Sequence, residues 1–86
     1  MKNIIVSLET ITNAVEKDAD ALKTEQAITL ARNQIENISN DPLLKELDLE
    51  LSVWQSKLSV IMKEPVGKKG MAKHARFWAE RLKSLN

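Results

Sequence analysis

The chain has 86 residues, 43% of them hydrophobic, with 13 Lys plus Arg against 12 Asp plus Glu, one His, two Gly, two Pro and no Cys. That length suits one domain with a thin core, since a chain of this size buries only about 60–65% of the surface its unfolded form exposes. Without cysteine there is no disulfide and no thiolate zinc site, and one His cannot supply the two or three imidazoles that most catalytic zinc sites use.

No apolar run approaches the roughly 20 residues needed to span a bilayer, and no signal-peptide core follows the first residues. The expectation is an all-α cytoplasmic domain, residues 1–86, with no enzymatic activity, no cofactor and no metal. Two glycines are too few for a sheet protein with several tight turns. Ala, Leu, Glu, Lys, Gln and Arg, all good helix formers, fill much of the chain.

The predicted elements follow from apolar spacing. Ile4, Leu8, Ile11, Val15, Ala19 and Leu22 recur every three or four residues, with Ile5 at the edge, which predicts a first helix over 3–22. The phase then slips. Ala27, Ala31, Ile35 and Ile38, widened by Ile28 and Leu30, predict a second helix over 25–39 capped by Thr24. The joint at Asp18–Thr24 has neither Gly nor Pro, so one continuous bent helix is the alternative.

Asp41 before Pro42 is a capping residue followed by a proline at the first helical position, and a third helix is predicted over 42–63. Leu43, Leu44, Leu47, Leu51, Trp54, Leu58, Ile61 and Met62 share one of its faces. Leu49, Val53 and Val60 lie nearly opposite. Two stripes need two partners: either this helix is central in the bundle, or the second stripe meets another molecule.

Glu64-Pro65-Val66-Gly67-Lys68-Lys69-Gly70 reads as a stop, because proline cannot continue a helix and two glycines free the backbone. A fourth helix is predicted over 71–85, with Met71, Ala72, Ala75, Trp78, Ala79, Leu82 and Leu85 on its core face and Phe77 out of phase. Short connections between four helices, or three if the first two fuse, favour an up-and-down bundle.

The near-neutral total conceals an asymmetry. Residues 1–62 carry six positive and ten negative side chains, a net of −4, whereas residues 63–86 carry seven and two, a net of +5. Such a distribution bears on partners rather than on fold.

Three constellations follow. Gly67-Lys68-Lys69-Gly70, leading into a helix, could bind an anion on free backbone N–H groups, although it lacks the Gly-Lys-Ser/Thr ending of a phosphate loop. Lys68, Lys69, Lys73, Arg76 and Arg81, with Phe77 or Trp78 for stacking, could track a nucleic acid, although an isoelectric point near 8.0 is low for that role. Leu49, Val53, Val60 and Phe77 are the candidate partner-binding residues. A membrane surface is not expected to take the basic helix, since exposing its apolar face would strip the core of one helix.

His74 has no nucleophile or carboxylate at a suggestive spacing and reads as a boundary residue. Asp18 with Asp20, and Asp48 with Glu50, are two apart and read as solvated charges rather than catalytic pairs. The function expected is a protein–protein interaction module (adaptor, regulator, small chaperone or structural subunit), with self-association as one form and a nucleic-acid-binding regulator as the alternative.

Overall fold

In the computed structural model, which describes residues 2–38 and 41–85, Ile4, Leu8, Ile11 and Val15 are all buried on the stripe expected of the first helix. They belong to α1 (Lys2–Asn13) and to the π-helical turn Ala14–Asp18 that continues it. The first helix therefore ends at Asp18, not at 22. Ala19 turns left-handed (φ 47°, ψ 38°), the single described non-glycine residue with positive φ. The wide π turn and this reversal account for the phase slip, and they make the first two helices separate. Ala19 and Leu22 leave the stripe and are exposed, contrary to the expectation for the core.

The second helix, α2 (Ala21–Glu36), starts four residues before 25. Its cap is Asp20, whose carboxylate accepts from Lys23 N at 3.1 Å, and not Thr24. Thr24 is buried, and its hydroxyl donates to the Asp20 carbonyl at 2.8 Å. Ala27, Ile28, Ala31 and Ile35 face the core, but Leu30 and Ile38 are exposed, so the stripe is narrower than its sequence suggests. The helix ends at Glu36 rather than at 39, with Asn37 as its C-terminal cap; Ser39 itself lies outside the described residues.

The third helix, α3 (Pro42–Ser56), begins as expected: the Asp41 carboxylate accepts from Leu43 N at 2.9 Å, and Pro42 opens the first turn. It does not run to 63. Lys57 (φ −112°, ψ 14°) interrupts it, and a short α4 (Leu58–Ile61) follows. Ser52 Oγ donates to the Leu49 carbonyl at 2.7 Å and Ser56 Oγ to the Val53 carbonyl at 3.0 Å. Hydroxyl back-bonding of this kind competes with the helix ladder and bends it.

The last helix corrects the sequence reading most. α5 runs Pro65–Ser84, so Gly67-Lys68-Lys69-Gly70 lies within its first turns and is not an inter-helix turn. Pro65 sits at the first position, where its missing N–H has no intrahelical partner to lose. Gly67 serves packing: a Cβ there would stand 2.9 Å from the Ile61 carbonyl oxygen, so only glycine lets α5 approach α4 this closely. Met71, Ala72, Ala75, Trp78, Ala79 and Leu82 are buried as expected, while Leu85, beyond the helix end, is exposed.

The helices alternate in direction. Glu16 pairs with Arg76 and Glu9 with Lys83, which sets α1 antiparallel to α5. Arg32 Nε donates to Asp48 at 3.0 Å and Gln55 donates to Thr29 at 2.8 Å, which sets α2 antiparallel to α3. Ser7 Oγ donates to Gln34 at 2.8 Å across the α1–α2 hairpin. Leu8, Ile11, Ile28, Leu47, Leu51 and Leu82 meet in the fully buried centre of this small all-α bundle. No described buried side-chain N or O atom lacks a hydrogen-bond partner.

Candidate interaction surface

α2 leaves Leu22 and Leu30 exposed while burying Ile28 and Ile35, and α3 divides its apolar residues in the same way. α3 buries Leu44, Leu47, Leu51 and Trp54, yet Leu49 and Val53 remain 67% and 46% exposed on its other side, and Val60 on α4 is 64% exposed. The alternative in which a neighbouring helix covers this second stripe is not what the fold adopts. Phe77, on α5, is 57% exposed, its ring edge-on to Trp78 at 6.2 Å between centroids. All four sequence-derived partner-binding residues therefore reach the surface.

These residues border one seam. α1 packs closely on α2 and α5, and α2 on α3, but the backbones of α3 and α5 hardly approach each other. A Cβ at Gly70 would meet nothing within 4 Å, which leaves the seam open at that level. Side chains close it instead. Glu50 on α3 accepts from Trp78 Nε1 at 2.9 Å and from His74 Nδ1 at 2.9 Å, both on α5.

This pair of hydrogen bonds fixes a register. Glu50 stands level with the midpoint of His74 and Trp78, and the two helices run in opposite directions with equal rise per residue. Leu49 is therefore level with Phe77, Val53 with Lys73, and Glu46 with Glu80, one residue from Arg81. Val60, beyond the break at Lys57, and Val66, in the first turn of α5, are also exposed.

The basic residues divide. Arg76 is held by Glu16, so of the five cations expected to bind an anion or nucleic acid, this one faces the acidic first helix. Lys68 is half-buried. Lys69, Lys73 and Arg81 are exposed and form no ion pair among the described residues. The Arg81 guanidinium lies 5.4 Å from the Trp78 ring centroid, a cation–π contact that fixes its place beside Phe77. The turn expected at Gly67–Gly70 is not formed: the helix starts at Pro65, the Lys68 amide donates to the Glu64 carbonyl at 2.9 Å, and the capping residue, Glu64, carries negative charge.

Sequence reasoning missed the roles of three acids. Asp48, Glu50 and Asp20 are not solvated spectators: Asp48 holds Arg32, Glu50 joins α5, and Asp20 caps α2. Asp18 meets Lys23 at 3.5 Å. Asp20 alone carried a local signal, a capping residue before a helix-forming run. Arg32, Asp48, Gln55 and Thr29 satisfy one another along the hollow between α2 and α3, which Asn33, Glu36 and Lys45 also line. Lys83 donates to Glu9 at 2.9 Å, and this hydrogen bond holds its ammonium above the ordinary lysine pKa of 10.5. Among the described residues no group of three or more His, Asp or Glu side chains is placed to hold a metal ion. No described helix is long and apolar enough to cross a membrane. Comparison of the chain with protein-family models, with curated proteins and with solved structures returns no match in any of the three.

Proposed function

We propose that this chain is a non-enzymatic helical protein–protein interaction module that acts through the outer face of α3 and the adjoining edge of α5. The observation that carries the proposal is the exposure of Leu49 and Val53 on α3, whose other side fills the core, and of Val60 on α4. Isolated apolar residues at a surface are ordinary. A run of them along one helix, continued by Phe77 at the same level on its neighbour, is what marks an interaction site.

A photo-crosslinking residue placed at 49, 53 or 77 and activated in cells tests this. A discrete covalent adduct is expected from these positions and none from the exposed control position Lys17. Absence of adducts from all three would remove the proposal. Leu49→Asp and Val53→Asp should abolish the adduct formed at Phe77 while changing folding stability by no more than about 0.5 kcal/mol, as surface substitutions do.

The second function, nucleic-acid binding, draws on Phe77 standing between Lys73 and Arg81 on the outer face of α5. With Arg76 committed to Glu16, that patch is narrow. Retention of single- or double-stranded nucleic acid in a low-salt gel shift, lost on Lys73→Glu and Arg81→Glu, is its expected signature. No retention of either form ends it.

A further inference from the structure

We infer that the α3–α5 face is a two-fold interface with a second copy of this chain, in which α3 of each copy lies along α5 of the other. The inference rests on the proposed interaction surface and commits it to one occupant. A two-fold interface uses the same patch twice, so the patch must complement itself. An axis running along the open seam, parallel to the helices, brings α3 over the second copy's α5. It preserves both their antiparallel direction and the register that Glu50 sets with His74 and Trp78.

In that register Leu49 meets the second copy's Phe77, an exposed apolar residue covering another, and Val53 meets the stem of its Lys73. Glu46, on the seam side of α3, meets Arg81, on the seam side of α5. Lys45, on the far side of α3, meets Glu80, on the far side of α5. Each contact occurs twice. Glu46, Lys45 and Arg81 have no ion pair within their own chain among the described residues, and Glu80 has only Lys83, at 3.4 Å.

The charge asymmetry of the chain gains a use in this arrangement, because part of the basic last helix lies against the acidic part of another copy. A nucleic acid fits less well, since Glu46 and Glu50 flank the same seam. The molecule measures 34 × 22 × 17 Å between Cα extremes. A long face of that size is on the scale of the roughly 800 Å² per partner of a standard interface. Like charges stand level at Lys57 with the second copy's Lys69, at the helix break, and, on opposite sides of the two helices, at Glu46 with its Glu80 and Lys45 with its Arg81.

The test is solution mass by light scattering and sedimentation, from low to high micromolar concentration, on four preparations. The unaltered chain should have the mass of two chains. Glu46→Arg alone and Arg81→Glu alone should each weaken the dimer by about tenfold or more, because each places like charges opposite one another twice. An equimolar mixture of these two variants should recover the dimer, since both cross-pairs then become complementary. A contact within one chain cannot produce that recovery.

The substituted positions are exposed, and circular dichroism checks that each variant stays folded. Should either fail to fold, Lys45→Glu mixed with Glu80→Lys tests the second pair of contacts in the same way. Lys57→Glu should tighten the dimer.

A monomeric unaltered chain at all concentrations, single variants that dimerise undiminished, or a mixture that stays monomeric would each overturn the inference. If the chain is monomeric but a crosslinker at Val53 still captures a different protein, this inference fails and the interaction module stands. If neither dimer nor adduct forms, both fail.

Discussion

Glu50 Oε2 accepts the indole N–H of Trp78 at 2.9 Å and so joins α3 to α5 where their backbones stand apart. Its other carboxylate oxygen takes His74 Nδ1, so one acid on α3 holds two residues one helical turn apart on α5. Glu50→Ala leaves the largely buried Trp78 N–H without this partner and is expected to cost about 1–2 kcal/mol. Glu50→Gln, whose amide oxygen still accepts one of the two bonds, should cost less. Urea unfolding of the two variants checks the order, and equal losses would mean that the hydrogen bond retained by Gln contributes nothing.

The two glycines of α5 should respond to alanine in opposite directions. Gly70→Ala adds a methyl where nothing lies within 4 Å and removes a flexible residue from a helix, so a gain of about 0.5–1 kcal/mol is expected. Gly67→Ala drives its Cβ to 2.9 Å from the Ile61 carbonyl oxygen and should lower stability by displacing α4. Thermal midpoints measured side by side decide this, and a stabilised Gly67→Ala chain would contradict the close approach of α4 and α5.

Ala19 holds the left-handed conformation that closes the first helix, a position most helices give to glycine. For an L-residue that conformation costs about 1–2 kcal/mol. Ala19→Gly should therefore raise the thermal midpoint by several degrees, about 4–8 °C per kcal/mol for a domain of this size. Ala19→Val should lower it. A midpoint that falls on Ala19→Gly would show that the reversal is not formed as described.

Alkaline stability should carry a component from Lys83. Its hydrogen bond to Glu9 raises its pKa in the folded chain above the ordinary 10.5. The folded state then holds that proton more tightly than the unfolded state. The stabilisation is fully present below 10.5 and is lost as pH climbs through the higher folded value. Lys83→Met should lack this component, so the difference between the two chains in urea midpoint should shrink from neutral pH to well above 10.5. A difference independent of pH would assign the effect of Lys83 to packing.

By itself the sequence determined the class of fold, the start of the third helix at Asp41–Pro42, and most of the core. These are local properties. The apolar period places Ile4, Leu8 and Ile11, or Leu47, Leu51 and Trp54, on one side of a helix whatever surrounds it, and a capping acid before proline acts within one turn. Tertiary structure decided where helices stop without Gly or Pro, at Ala19 and Lys57, because both breaks let a following segment pack. It also decided that Gly67 serves contact with Ile61 rather than a turn, and that Glu50 closes the bundle. Above all it left Leu49, Val53 and Val60 uncovered. Periodicity reports that a helix has a second apolar face. What lies against that face depends on how many neighbours the bundle gives it, and here α3 has too few to cover both.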